Sequence, residues 1–172
     1  MIILINGSLG VGKTSVAEEL LWKFEKAVHL DGDAIGAVHP FEIYDDERVD
    51  HLFRTLELLI RHHRESGYPD FVINYIFETP GQLADLIGRL SPLDPDIHAY
   101  RLTCGESEQA GRIRGRARAG LDWELQRYLE LNRIQEAAAR TGDIGEPVDT
   151  TGRKAAEVAN LIWGAVHRTN QT

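Results

Sequence analysis

Gly7-Ser8-Leu9-Gly10-Val11-Gly12-Lys13-Thr14 separates an apolar run, Met1 to Asn6, from a segment in which Val16, Ala17, Leu20, Leu21 and Phe24 recur at helical spacing. The apolar run is the length of a buried strand, and the periodic segment predicts a helix from about Lys13 to Lys26. The eight residues between satisfy G-x-x-x-x-G-K-[ST] at every fixed position, in the strand-then-helix context the pattern requires. Glycines at 7, 10 and 12 let the backbone curl until successive N–H groups point inward, and the new helix adds the positive end of its dipole. Such a cradle fits phosphate groups. Two glycines, a lysine and a hydroxyl at these offsets arise by chance in well under about 1% of chains of this length.

The loop predicts a bound nucleoside triphosphate with magnesium. The backbone of Gly7, Gly10, Val11 and Gly12 would wrap the phosphates. Lys13 would lie along the β- and γ-phosphates, the Thr14 hydroxyl would ligate Mg2+, and Ser15 would support the α-phosphate.

Outward from the loop, short apolar runs alternate with helical patterns. Val28 to Asp31 predicts a second strand. Val49, Leu52, Phe53, Leu56, Leu59 and Ile60 stripe a long helix that Asp45 or Asp46 would cap. Phe71 to Phe77 is a third strand, followed by a helix starting at Pro80 and ended by the two prolines within Ser91 to Asp96. Ile97 to Thr103 is a fourth strand. Helical segments Glu106 to Ala119 and Asp122 to Arg140 flank Gly120, Pro147 to Asp149 is a fifth strand, and a closing helix runs from Lys154 to about His167. This alternation predicts an α/β fold: a five-stranded parallel sheet with helices on both faces. One domain over residues 1–172 is expected at this length.

The composition, 42% hydrophobic and 27% charged, is that of a globular chain, and the formal net charge is -8 with a pI near 5.3. That balance argues against nucleic acid and against an anionic membrane, since both need a basic field. Cys104 is the only cysteine, so no intrachain disulfide can form; together with an N-terminus lacking a leader pattern, this predicts a cytoplasmic protein.

Leu30-Asp31-Gly32-Asp33, at the end of the second strand, resembles the L-D-G-D of gluconate kinases and adenylylsulfate kinases, and shikimate kinases keep a related D-x-D. The resemblance spans most of the chain, from the loop through an arginine-bearing helix to Val148-Asp149-Thr150-Thr151. It implies the P-loop NTPase fold with a small helical lid at about residues 106–122, and a small-molecule kinase activity. Chloramphenicol phosphotransferase and tunicamycin-resistance-type proteins share the same layout. Both aspartates would stand at the carboxyl ends of strands, where open α/β sheets gather ligands. In phosphoryl transfer one carboxylate can hold magnesium through water while another orients and deprotonates the acceptor; these roles fall to Asp31 and Asp33 respectively.

Many relatives end the third strand in an acidic residue, where Asn74 stands here. Asparagine can hydrogen-bond water or substrate but supplies no charge, so metal binding would lean on Thr14 and Asp31, with Glu78 a possible substitute. Arg112-Ile113-Arg114-Gly115-Arg116-Ala117-Arg118 resembles the R-I-x-x-R that opens the kinase lid. From it Arg116 is expected to stack on adenine, Arg118 to reach phosphate and assist catalysis with Arg116, and Arg112 to contact the nucleotide. His62 and His63 diverge by about 100° on a helix and make a poor ligand pair. Trp123 and Tyr128 are expected to pack rather than bind.

No N-K-x-D of guanine switches and no D-G-x-P-R of nucleoside monophosphate kinases is present. The expected activity is therefore ATP-dependent phosphorylation of a hydroxyl on a small molecule: a sugar, sugar acid or antibiotic-like compound. A non-catalytic nucleotide-binding switch is the alternative, against which the paired aspartates speak.

Overall fold

The computed structural model describes residues 1–43, 45–116 and 120–169. Its elements run β1 (Ile2–Gly7), α1 (Lys13–Leu21), β2 (Ala27–Asp31), α2 (Gly32–Ile35), α3 (Asp46–Glu65), β3 (Asp70–Asn74), α4 (Pro80–Leu90), β4 (Ile97–Thr103), α5 (Glu106–Gly115), α6 (Leu121–Thr141), β5 (Glu146–Asp149) and α7 (Ala155–Thr169). The five strands are all parallel, in the order β2-β3-β1-β4-β5.

β1 is central and buried along its whole length, so its side chains alternate between two apolar faces. Ile2 and Leu4 meet Leu52, Phe53 and Leu56 of α3 and Leu83, Leu86 and Leu90 of α4. Ile3 and Ile5 meet Val16, Ala17 and Leu20 of α1 and Val158, Ala159 and Ile162 of α7. A smaller cluster ties α5 to α6 through Ala110, Ile113 and Tyr128.

The alternation read from the sequence is the one observed, but two boundaries move and one helix is new. α1 stops at Leu21, five residues short of Lys26: Lys23 and Phe24 donate to carbonyls three residues back, and Trp22 is 82% exposed. Phe24 instead turns its ring edge-on to Trp163 of α7, 4.8 Å away. β3 stops at Asn74 rather than Phe77 because the Asn6 side chain takes over the backbone pairing. Its Oδ1 accepts from the Phe77 N–H at 2.9 Å, and its Nδ2 donates to the Phe77 carbonyl at 3.2 Å. Tyr75 still donates its N–H to the Ile5 carbonyl of β1 at 3.1 Å, and residues 76–78 then leave the sheet beside a cavity. The one-turn helix α2, Gly32–Ile35, forms where the sequence reading assigns no element.

Candidate active site

The loop after β1 has positive φ at Gly7, Gly10 and Gly12 (144°, 80° and 100°). Gly10 shows why no side chain fits: a Cβ there would lie 2.7 Å from Cγ1 of Ile113 on α5. The helix expected as a lid is thus packed against the loop along its body. Gln109 donates to the Ser8 hydroxyl and the Leu9 carbonyl, both at 2.6 Å, and Ser8 bonds Asn132 of α6. From the other side the Thr150 hydroxyl donates to the Val11 carbonyl at 3.1 Å. The loop is held from three elements before any ligand arrives.

The loop opens into a cavity of about 840 Å³ that also receives β2–α2, the start of α3, the segment after β3, and α6. Gly10, Gly12, Lys13, Thr14 and Ser15 line it, whereas Gly7 lies beneath the loop and the Val11 side chain belongs to the core. Lys13 is only 7% exposed, and Nζ donates to the Ser8 carbonyl at 3.1 Å. Burial lowers its pKa to about 8, with Asp33 opposing, Arg116 assisting and Asp31 opposing. An ammonium so poorly compensated is primed for an anion.

Asp31 is the most heavily bonded group in the site. Oδ1 accepts the N–H groups of Asp33 at 2.9 Å and Ala34 at 3.2 Å, capping α2. Oδ2 accepts from Thr14 Oγ1 at 3.2 Å and from Asn74 Nδ2 at 3.0 Å. Burial pushes its pKa upward, but these bonds, led by that of Asn74, outweigh it and hold the carboxyl below its ordinary value. Asp31 is therefore a fixed carboxylate beside the Thr14 hydroxyl, the oxygen pair that a hard divalent cation prefers.

Asp33, two residues on, is the opposite case. Among the described residues it accepts no comparable set of bonds; it is exposed to the cavity, and partial desolvation there raises its pKa, with Lys13 pulling it down, Asp31 adding to the rise and Arg48 opposing. A carboxylate facing a cavity with raised proton affinity suits a general base.

The expectation that Asn74 meets water or substrate gives way to a buried role. Asn74 is 0% exposed, and its amide links Asp31 to His29 Nε2. With Nδ2 turned to Asp31, Oδ1 accepts from His29, which places the imidazole proton on Nε2. Glu78, the substitute the sequence offers, lines the cavity with its carboxylate ion-paired to Arg127 and its backbone N–H bonded to Gln82.

Arg116, which ends α5, lines the cavity on the Lys13 side. Arg112 does not: Nη1 donates to the Val11 carbonyl and Thr150 Oγ1, and Nη2 to Glu108 and the Thr150 carbonyl, bracing the back of the loop. Arg118 lies outside the described residues. Tyr128 packs as expected, but Trp123 is 53% exposed and lines the cavity.

Arg48, Tyr75 and Arg127 are site residues that sequence reasoning passed over. Arg48 is 8% exposed, donates to the carbonyls of Glu42 and Ile43, and stands 4.5 Å over the Phe41 ring. Arg127 is 7% exposed between Glu78 and Glu130. The signal that could have found Trp123 and Arg127 is their spacing on α6, one turn apart and off its apolar stripe.

No family model matches the chain, and no curated protein matches it in sequence. Solved structures do match in fold. The tunicamycin resistance protein of Deinococcus radiodurans superposes with a TM-score of 0.65 at 20% identity, covering 96% of this chain and 94% of that one. A gluconokinase from Sinorhizobium meliloti 1021 gives 0.63 at 16% identity, covering 97% and 91%. Shikimate kinase from Acinetobacter baumannii, in complex with shikimate, gives 0.60 at 20% identity, covering 99% and 95%. At these identities the likeness establishes a shared fold.

Proposed function

We propose that this chain is an ATP-dependent phosphotransferase that phosphorylates a hydroxyl group of a small molecule. One observation carries the reading: the phosphate loop with Lys13 and Thr14 opens into the same cavity as the Asp33 carboxylate. That the solved structures sharing this fold include a gluconokinase and a shikimate kinase supports it.

Lys13 and the loop amides grip the β- and γ-phosphates and spread their charge, and Arg116 adds a second cation from the end of α5. Asp33 orients the acceptor hydroxyl and takes its proton as the oxygen bonds to the γ-phosphorus and the bond to the ADP oxygen breaks. Thr14 and Asp31 fit a magnesium ion, since their oxygens converge at 3.2 Å and Asp31 stays ionised. When bound, that ion would neutralise phosphate charge. Asn74 and His29 keep Asp31 in place.

The deciding experiment is ADP release from ATP, with magnesium, across a panel of sugars, sugar acids and hydroxylated antibiotics. A phosphotransferase gives release stimulated by one acceptor class and a phosphorylated product. Tight ATP binding with no stimulated release from any of them would instead make the chain a nucleotide-binding switch.

A further inference from the structure

Away from the loop, the cavity wall carries arginines already engaged by protein oxygens and apolar surface that is open. Both buried arginines that could anchor an acid group are engaged. Arg127 sits between Glu78 and Glu130, and Arg48 serves the carbonyls of Glu42 and Ile43 beneath the Phe41 ring. Around the cavity as a whole, acidic side chains outnumber basic ones.

The same wall exposes Phe41 at 56%, Ile43 at 36% and Trp123 at 53%, with Val49, Leu131 and Ile134 behind them. Large apolar side chains left open together inside one concavity mark a ligand surface. On α6, next to Trp123, the half-buried Glu124 also lines the cavity, and no ion pair holds its carboxylate among the described residues. A half-buried carboxylate without a cation of its own favours a ligand that brings a positively charged donor.

We infer that the acceptor compartment selects an alcohol with an apolar, ring-bearing body and no acid group, one of whose other donors, best a protonated amine, meets Glu124. The identity of the reacting hydroxyl rests on the phosphotransfer reading; the selection of the body and its charge rests on the wall alone. An acid group would enter a compartment of excess negative charge whose buried arginines are already engaged by protein oxygens, so it is disfavoured. An amine instead gains both the Glu124 oxygen and that same field.

Three matched probes test this on the full chain by calorimetry: phenylalaninol, 3-phenylpropan-1-ol and 3-phenyllactate. Phenylalaninol should bind at least about tenfold more tightly than 3-phenyllactate, with 3-phenylpropan-1-ol between them. Glu124→Gln should remove about tenfold of the phenylalaninol affinity and leave that of 3-phenylpropan-1-ol unchanged, and retained ATP affinity in the variant shows that it is folded. Equal or tighter binding of 3-phenyllactate, an unchanged phenylalaninol affinity in Glu124→Gln, or no phenylalaninol binding at millimolar concentration would each overturn the inference. ADP release separates this from the phosphotransfer reading. Phenylalaninol bound but never phosphorylated supports the compartment's selectivity while counting against phosphotransfer; transfer to gluconate as readily as to amino alcohols sinks the selectivity and leaves phosphotransfer standing.

Discussion

In the proposed reading the cavity has a phosphate end and an acceptor end, and the two are built in opposite ways. At the phosphate end, residues 7–15 are consecutive, their backbone is over-determined by α5, α6 and Thr150, and the key cation is buried. At the acceptor end, Phe41, Arg48, Tyr75, Glu78, Trp123 and Arg127 come from three separate stretches, and large apolar side chains stand open. A grip on phosphate needs only backbone amides and one or two cations at fixed offsets, so a local motif suffices. Recognition of a particular acceptor needs a shaped wall, which only distant segments can assemble.

If the two ends have separate tasks, mutations at each should split binding from turnover. The largest effect is expected from Asp33→Asn, which keeps size and hydrogen bonding but removes proton affinity. Acceptor-stimulated turnover should fall about 10²–10⁴-fold, while ATP affinity by calorimetry stays near wild type. Near-normal single-turnover rates would move the base away from Asp33.

Lys13→Ala should do the reverse, lowering ATP affinity by about 10–100-fold in a folded protein, the worth of a charge-assisted contact. Unchanged affinity would break the assignment of the phosphate end.

The pH dependence of nucleotide binding sharpens the same point. Lys13 has a pKa of about 8 with the cavity empty, and phosphate charge favours its protonated form, so binding takes up a proton above that value. Affinity should be level below about pH 8 and fall by up to about tenfold per unit above it. The same depression has a sign for folding: the cost of burying the charged form is fully present below pH 8, and stability recovers as pH rises from there to the ordinary lysine value of 10.5. The Lys13→Ala variant should lose both trends.

The smallest effect expected is on stability. Gly10→Ala adds a Cβ 2.7 Å from Ile113 at a φ of 80°, which should cost about 1–3 kcal/mol in chemical denaturation. A neutral result would mean that α5 yields readily and that the loop is less rigid than its contacts suggest.

By itself the sequence determined the features whose causes are local. The G-x-x-x-x-G-K-T run, strand β1 and the start of α1 lie within 21 residues and answer to backbone geometry and periodicity; the Asp31–Asp33 pair follows the next strand directly. The stripes of α3, α4 and α7 were legible for the same reason, because a helix shows its buried face as spacing. Tertiary structure alone decided what depends on partners far along the chain. Asn6 reaches Phe77, 71 residues on, and cuts β3 short. Arg127 finds Glu78, 49 residues back, and ties the two together in the cavity wall. Asn74, which reads from the sequence as a gap in the metal site, becomes the donor that locks Asp31. No periodicity encodes such pairings, because each is set by where the sheet order β2-β3-β1-β4-β5 brings strand ends together.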